Sequence, residues 1–233
     1  MKRGVGGASV DFDEFAGGYD EALHRGVSIS GENKDYFARG RIDWLRRCLP
    51  GARPKKVLDY GCGTGGSAPV LREVFGAGTV LGVDTSSAAI AAAQGSASEG
   101  LRFCSMDDFE RTGDFDLADC NGVFHHVPPA ERLAAVRCVH DALRPGGWFA
   151  FWENNPWNPG TQFVMSRIAF DRDAIKVSPL EARRLLRDGG FQVEDLHFLF
   201  IFPNLLRALR PLEAPLSRLP LGAQYQVLCR KPA

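Results

Sequence analysis

The chain has 233 residues, a length that suits one elaborated domain better than two. Its 28 basic and 28 acidic residues cancel to a net charge of +0, which argues against a nucleic-acid-binding surface. No apolar run approaches the ~20 residues that a membrane-spanning helix needs, and residues 1–7 lack the apolar centre of a signal peptide. The six cysteines (Cys48, Cys62, Cys104, Cys120, Cys138, Cys229) show no close pairing and no zinc-ligand spacing. They read as reduced thiols of a cytoplasmic protein without a metal centre.

Residues 11–49 mix aromatics with charges (Phe12, Phe15, Tyr19, Tyr36, Phe37, Trp44) and read as two or three helices. The last of these is predicted over residues 34–48, closed by Pro50 and Pro54. From Lys56 short apolar runs alternate with helical patterns. Strands are predicted at 57–60, 79–83, 101–104, 115–120 and 148–152. Helices are predicted at 68–75, at 86–94 behind a Thr85 or Ser86 cap, and at 129–143. Ser178-Pro179-Leu180-Glu181 has the form of a capping box opening a helix that stops at Gly189-Gly190. Strands at 191–200 and 225–229 follow, with no ordinary crossover helix between them. The pattern predicts an α/β fold: a doubly wound, mostly parallel sheet with a terminal antiparallel strand, helices on both faces and N-terminal helices over 11–49, which the resemblance described below implies to be a lid. A single domain spans 1–233, its Rossmann-like core running over 54–233 with an insertion at 203–222.

In such a sheet ligands bind at the carboxyl ends of the strands, where strand order reverses. The turn after the first strand is Asp59-Tyr60-Gly61-Cys62-Gly63-Thr64-Gly65. Gly61, Gly63 and Gly65 let backbone approach a ligand closely. Gly61, Gly63 and Gly66 also satisfy the dinucleotide fingerprint, so glycines alone leave a nicotinamide oxidoreductase open. Asp84, ending the second strand, can accept from ribose hydroxyls in either kind of enzyme. Asp59 favours the other reading. A pyrophosphate would meet a like charge there, whereas a phosphate-free, cationic nucleoside would not.

The run Val57–Gly65 resembles the cofactor signature of class I S-adenosylmethionine-dependent methyltransferases, near the ubiquinone/menaquinone-biosynthesis subgroup. The resemblance extends over roughly residues 12–200. It implies S-adenosylmethionine as cofactor, held by Asp59, Gly61, Gly63, Gly65, Asp84 and Thr85. It further implies an adenine segment at Met106-Asp107-Asp108 and a methionine-side loop from Asn121 to Pro128. Phe12-Asp13, Ala16 and Tyr19-Asp20 resemble the lid helix, with Tyr19 offering a π face to the sulfonium.

Methyl transfer needs alignment, exclusion of water and, for some acceptors, a base. His126, just past the fourth strand, and Glu153, ending the fifth, are candidates for catalysis. Glu153 also reads as a substrate partner or a structural acceptor. Of His125 and His126, one is expected to order the loop by backbone hydrogen bonds, the other to face substrate. Residues 154–173 read as a substrate wall, with Asn155, Trp157, Asn158, Arg167 and Arg172 as contacts. The leucine-rich insertion, with Arg207, Arg210 and Arg218, can lie on a membrane surface, cover an apolar substrate, or pack on the sheet or a second subunit. The acceptor is expected to be a small molecule, with a lean toward an aromatic or lipophilic one. A cofactor-binding, non-catalytic partner of a biosynthetic complex is the remaining alternative.

Overall fold

The computed structural model describes residues 31–168 and 174–233. The predicted lid residues, Tyr19 among them, and Arg172 lie outside the described residues. The first described helix, α1 (Lys34–Cys48), begins where Asn33 accepts a hydrogen bond from the Tyr36 amide. It ends with Arg46 and Arg47 in its last turn, favourable against the helix dipole. Ala38, Ile42 and Leu45 recur at helical spacing and form its buried stripe.

Strand β1 (Lys56–Tyr60), helix α2 (Ser67–Phe75), strand β2 (Thr79–Asp84), helix α3 (Ser87–Ala93) and strand β3 (Leu101–Ser105) make two parallel βαβ units. The chain then crosses to the other side of β1. Strand β4 (Phe115–Asn121), helix α4 (Arg132–Ala142) and strand β5 (Leu143–Asn154) extend the sheet there. Helices α5 (Pro159–Met165) and α6 (Pro179–Asp188) precede edge strand β6 (Gln192–Leu199). A 3₁₀ segment (Asn204–Leu212) and helix α7 (Glu213–Leu216) lead into β7 (Gln224–Arg230). The seven-stranded order is β3-β2-β1-β4-β5-β7-β6, with β7 antiparallel to both its neighbours. The expected α/β fold is thus present, and the reversal of strand order falls between β1 and β4.

Alternation along the strands sends side chains to two cores. One holds Leu58, Phe124, Phe149, Phe151 and Tyr225 against Val136 and Val139 of α4 and Leu186 of α6. The other holds Val57, Val80, Ala150 and Trp152 against Ile42 and Leu45 of α1 and Leu71 and Phe75 of α2.

Some boundaries differ from expectation. Helix α4 starts at Arg132 rather than 129, because Pro128 and Pro129 spend those residues on a turn closed by Glu131 N to Pro128 O. Strand β5 begins at Leu143, which pairs with Phe115 across a register shift that absorbs Pro145-Gly146-Gly147. The unanticipated α5 lies within the proposed wall, with Asn158 as N-cap and Pro159 in its first turn.

The insertion packs back on its own molecule through polar groups. Both Glu213 oxygens accept amides, Phe200 N at 3.2 Å and Phe202 N at 3.0 Å, holding a bend in which Phe200 has φ 62°. Arg210 pairs with Glu32 at 2.7 Å and Arg218 with Asp195 at 2.8 Å. Its leucines face outward, Leu205 being 93% exposed. Glu213→Ala should therefore loosen the insertion rather than the core. Hydrogen exchange at the Phe200 and Phe202 amides is expected to speed up by about tenfold or more, with the thermal midpoint little changed.

Candidate active site

The turn after β1 is built by β2. The Gly61 and Cys62 amides both donate to Val83 O, at 2.8 and 3.0 Å, which folds the chain back over the sheet edge. Gly61 has φ 74°, and a Cβ on it would sit 2.2 Å from Val123 Cγ2. A side chain is excluded there on both counts. Gly63, at φ 53°, is different: a Cβ on it would meet nothing within 4 Å. At this point bare backbone faces open space, a cradle that the protein does not fill itself.

Asp84 forms one wall. Its Oδ2 accepts the Gly63 amide at 2.8 Å and its Oδ1 the Ser86 amide at 2.9 Å. Each oxygen keeps a lone pair for a second donor. Thr85 beside it is exposed. Met106, half-buried, packs against the core under the next turn. Asp107 and Asp108 are exposed, and Asp108 Oδ2 already accepts Ser105 Oγ at 2.8 Å, a turn-capping contact. At the end of β4 the buried Asn121 Oδ1 has no hydrogen-bond partner.

Asp59 requires a correction to the sequence argument, which treats it as a fixed charge at the crevice. It is 3% exposed and lies beneath the turn, on the face covered by α1 and α2. Burial first, then Asp119 and Asp84, push its pKa well above the ordinary carboxylate value, with Arg41 opposing. Its Oδ2 has no hydrogen-bond partner. Asp119 and Arg41 escaped notice in the sequence, although each left a trace. Asp119 interrupts an apolar strand, and Arg41 sits on the apolar stripe of α1 between Ala38 and Leu45.

Past β4, Glu153 organises the loop. Its Oε1 accepts the amides of Phe124 (2.7 Å) and His125 (3.2 Å), and its Oε2 lies 2.7 Å from His125 Nδ1. The Asn154 amide adds a fourth contact at 3.3 Å. Both oxygens are taken and the side chain is only 1% exposed, so its contacts are those of a structural acceptor rather than of a base facing the crevice. Of its expected roles, the structural acceptor is the one the contacts describe. His125 is accordingly the loop-ordering histidine, through a carboxylate as well as backbone, and the His126 ring lies against it, tilted by 48° with ring centroids 4.0 Å apart.

Asn155, expected as a substrate contact, is fully buried. Its amide nitrogen donates to Pro220 O and Gly222 O, and its oxygen accepts the Trp157 amide. It ties the end of β5 to the approach to β7, with both amide hydrogens and one oxygen lone pair used inside the protein. Asn158 caps α5 through its oxygen and donates to Leu221 O. Trp157 is 47% exposed, and Arg167 lies 4.3 Å over the exposed Phe163 ring. Both stay available on the wall. Among the described residues no cluster suited to a metal ion is present, and no helix is long and apolar enough to cross a membrane.

Two substitutions follow from these contacts. Gly61→Ala should unfold the turn, costing about 2–4 kcal/mol from the left-handed backbone and the Val123 clash together, read by urea titration. Glu153→Gln should cost about 1–3 kcal/mol, since an amide cannot accept at both ends. An unchanged midpoint for Glu153→Gln would mean that its oxygens do not hold the loop.

Comparison with known proteins agrees with this geometry. The profile of a family described as "Methyltransferase domain" matches residues 32–205. The ubiquinone biosynthesis O-methyltransferase of Thiobacillus denitrificans is 30% identical over 208 residues, 81% of this chain and 87% of that one. The trans-aconitate 2-methyltransferase of Deinococcus radiodurans is 39% identical over 106 residues, 46% of this chain and 40% of that enzyme. A crystal structure of an S-adenosylmethionine-dependent methyltransferase from Mesorhizobium loti shares the fold at TM-score 0.61 and 22% identity, covering 83% of this chain and all (100%) of that one. With a glycine cradle and an anchored Asp84 at the strand ends, the chain belongs to the methyltransferase domain family and is a class I S-adenosylmethionine-dependent methyltransferase.

Proposed function

We propose that the enzyme methylates a small organic acceptor, aromatic or lipophilic in character, in the space between the His125–His126 loop and the wall carrying Trp157 and Arg167. The observation that carries this reading is the open cradle at Gly63 beside an Asp84 whose two oxygens are each fixed by one backbone amide. When bound, S-adenosylmethionine supplies a methyl group on a cationic sulfur. The chain's own residues hold, orient and exclude water. Asp84 takes the ribose hydroxyls. Asp107 and Met106 take the adenine edge and face, and Asn121 Oδ1, buried and unpartnered, is aimed for a donor at the methionine end. Thr85 borders the ribose, and Tyr19 is assigned to the lid by resemblance.

His126 is the candidate to touch the acceptor. Its ring lies against a histidine that Glu153 holds, so its position is inherited from a buried, hydrogen-bonded group. An imidazole titrates near neutral pH and can take the proton of a hydroxyl as the methyl leaves sulfur. The O-methyltransferase relative, similar over most of its length, supports a hydroxyl acceptor; the trans-aconitate relative, similar over a shorter stretch, supports a carboxylate less strongly.

Four measurements test this. Calorimetric titration with adenosylhomocysteine should show Asp84→Ala weakening affinity by about 10- to 100-fold. Gly63→Ala should fold yet bind at least about tenfold more weakly, because its methyl enters the cradle rather than the core. Incubation with methyl-labelled cofactor should label phenolic acceptors in preference to tricarboxylates. His126→Ala should slow that transfer by about 10²–10⁴-fold while leaving adenosylhomocysteine affinity unchanged. Transfer only to carboxylates, or a fully active His126→Ala, contradicts the assignment of acceptor and base.

A further inference from the structure

Beneath the glycine turn lies a group of charges that methyl transfer itself does not require. Asp59 on β1 and Asp119 on β4 are register partners on adjacent parallel strands, which places their side chains side by side on one face, about 5 Å apart along the hydrogen-bonding direction. Both are almost inaccessible, at 3% and 1%. Asp119 Oδ1 accepts Trp152 Nε1 at 3.1 Å, whereas Asp59 Oδ2 has no partner.

The surrounding elements add one positive charge. From α1 comes Arg41, which also donates to Gln224 Oε1 at 3.1 Å. The side chains that α2 buries here, Ala68, Leu71 and Phe75, are apolar. From β2 comes Asp84, a third carboxylate, and the turn and β4 add the neutral thiols Cys62 and Cys120. β5 contributes the neutral Trp152 indole. Among the described residues, two buried carboxylates therefore share one guanidinium. Two buried, adjacent carboxylates do not both ionise without a compensating charge. Either a proton or a second cation must complete the set.

We propose that Asp119 works with Asp59 as a carboxylate pair that holds a proton while the crevice lacks a cation and releases it when the α-ammonium of the cofactor arrives. The claim rests on the cofactor reading of the crevice and adds to it a residue and a linkage. One carboxylic O–H bond breaks, the proton passes to solvent, and the ammonium takes its place as counter-charge. Burial pushes Asp119 up to about 6 against the opposing pull of Arg41 and Trp152, and raises Asp59 in the same direction. The pair titrates as a unit. Because the ligand binds the ionised form, its affinity increases with pH through the range in which the free pair loses its proton.

The test is calorimetry of adenosylhomocysteine binding at pH 6.5 in buffers of different ionisation enthalpy, which counts protons released. The wild-type protein should release a substantial fraction of one proton, and its affinity should rise by up to about tenfold per pH unit below the pair's apparent pKa. Methylthioadenosine keeps the nucleoside but lacks the ammonium, so it should bind with no proton release. Asp119→Asn and, independently, Asp59→Asn should both abolish the release and flatten the pH dependence to within about twofold. Either variant suffices if the other fails to fold. Adenosylhomocysteine binding without buffer dependence, or release that survives in a folded variant, overturns the linkage and leaves the cofactor site standing. No binding of adenosylhomocysteine at all overturns both.

Discussion

The 2.8 Å hydrogen bond from the Gly63 amide to Asp84 Oδ2 joins the turn after β1 to the end of β2, on one side of the crevice where strand order reverses between β1 and β4. It does two things at once. It fixes the turn in a left-handed course that keeps backbone, rather than side chain, against the crevice. It also fixes a carboxylate so that each oxygen has one lone pair spent and one presented. The rest of the site is arranged around this joint. The Val83 carbonyl pins the turn from below, and Val123 of the β4 loop closes on Gly61, where only a hydrogen fits.

A second organising centre lies across the switch point, at Glu153. One carboxylate at the end of β5 collects two amides from the β4 loop, one histidine ring and its own following amide. Such a group is worth more as a clamp than as a reagent, since every acceptor position it uses on the loop is unavailable to a substrate. The site thus divides into a cofactor half set by β1 and β2 and an acceptor half set by β4 and β5, with Asp59 and Asp119 beneath the seam between them.

Much of this was legible in the amino-acid sequence, and the reasons are specific. The bounds of α1 were readable because Asn33 caps it and Pro50 and Pro54 follow it. The capping box at Ser178–Glu181 is present as read, with both reciprocal bonds formed. The glycines announced the turn because the backbone there takes left-handed angles that favour glycine, and at Gly61 a side chain would also meet Val123. What could not be read depended on partners remote in sequence. Asn155 looked like a wall residue until Pro220 and Gly222, some 65 residues on, were seen to consume its amide. Glu153 looked reactive because a carboxylate at a strand end is equally suited to protons and to amides. Asp59 looked like a simple charge because nothing local revealed Asp119 at its side. Helix α5 was missed although Asn158-Pro159 is a cap signature, because aromatic and polar residues around it suggested a loop.

The position of the bound cofactor tests this arrangement most directly. A crystal structure with adenosylhomocysteine should show both ribose hydroxyls on Asp84, the methionine chain passing Gly63, and the ammonium directed toward Asp59. A nucleoside bound elsewhere, or oriented with its ribose away from Asp84, would contradict it.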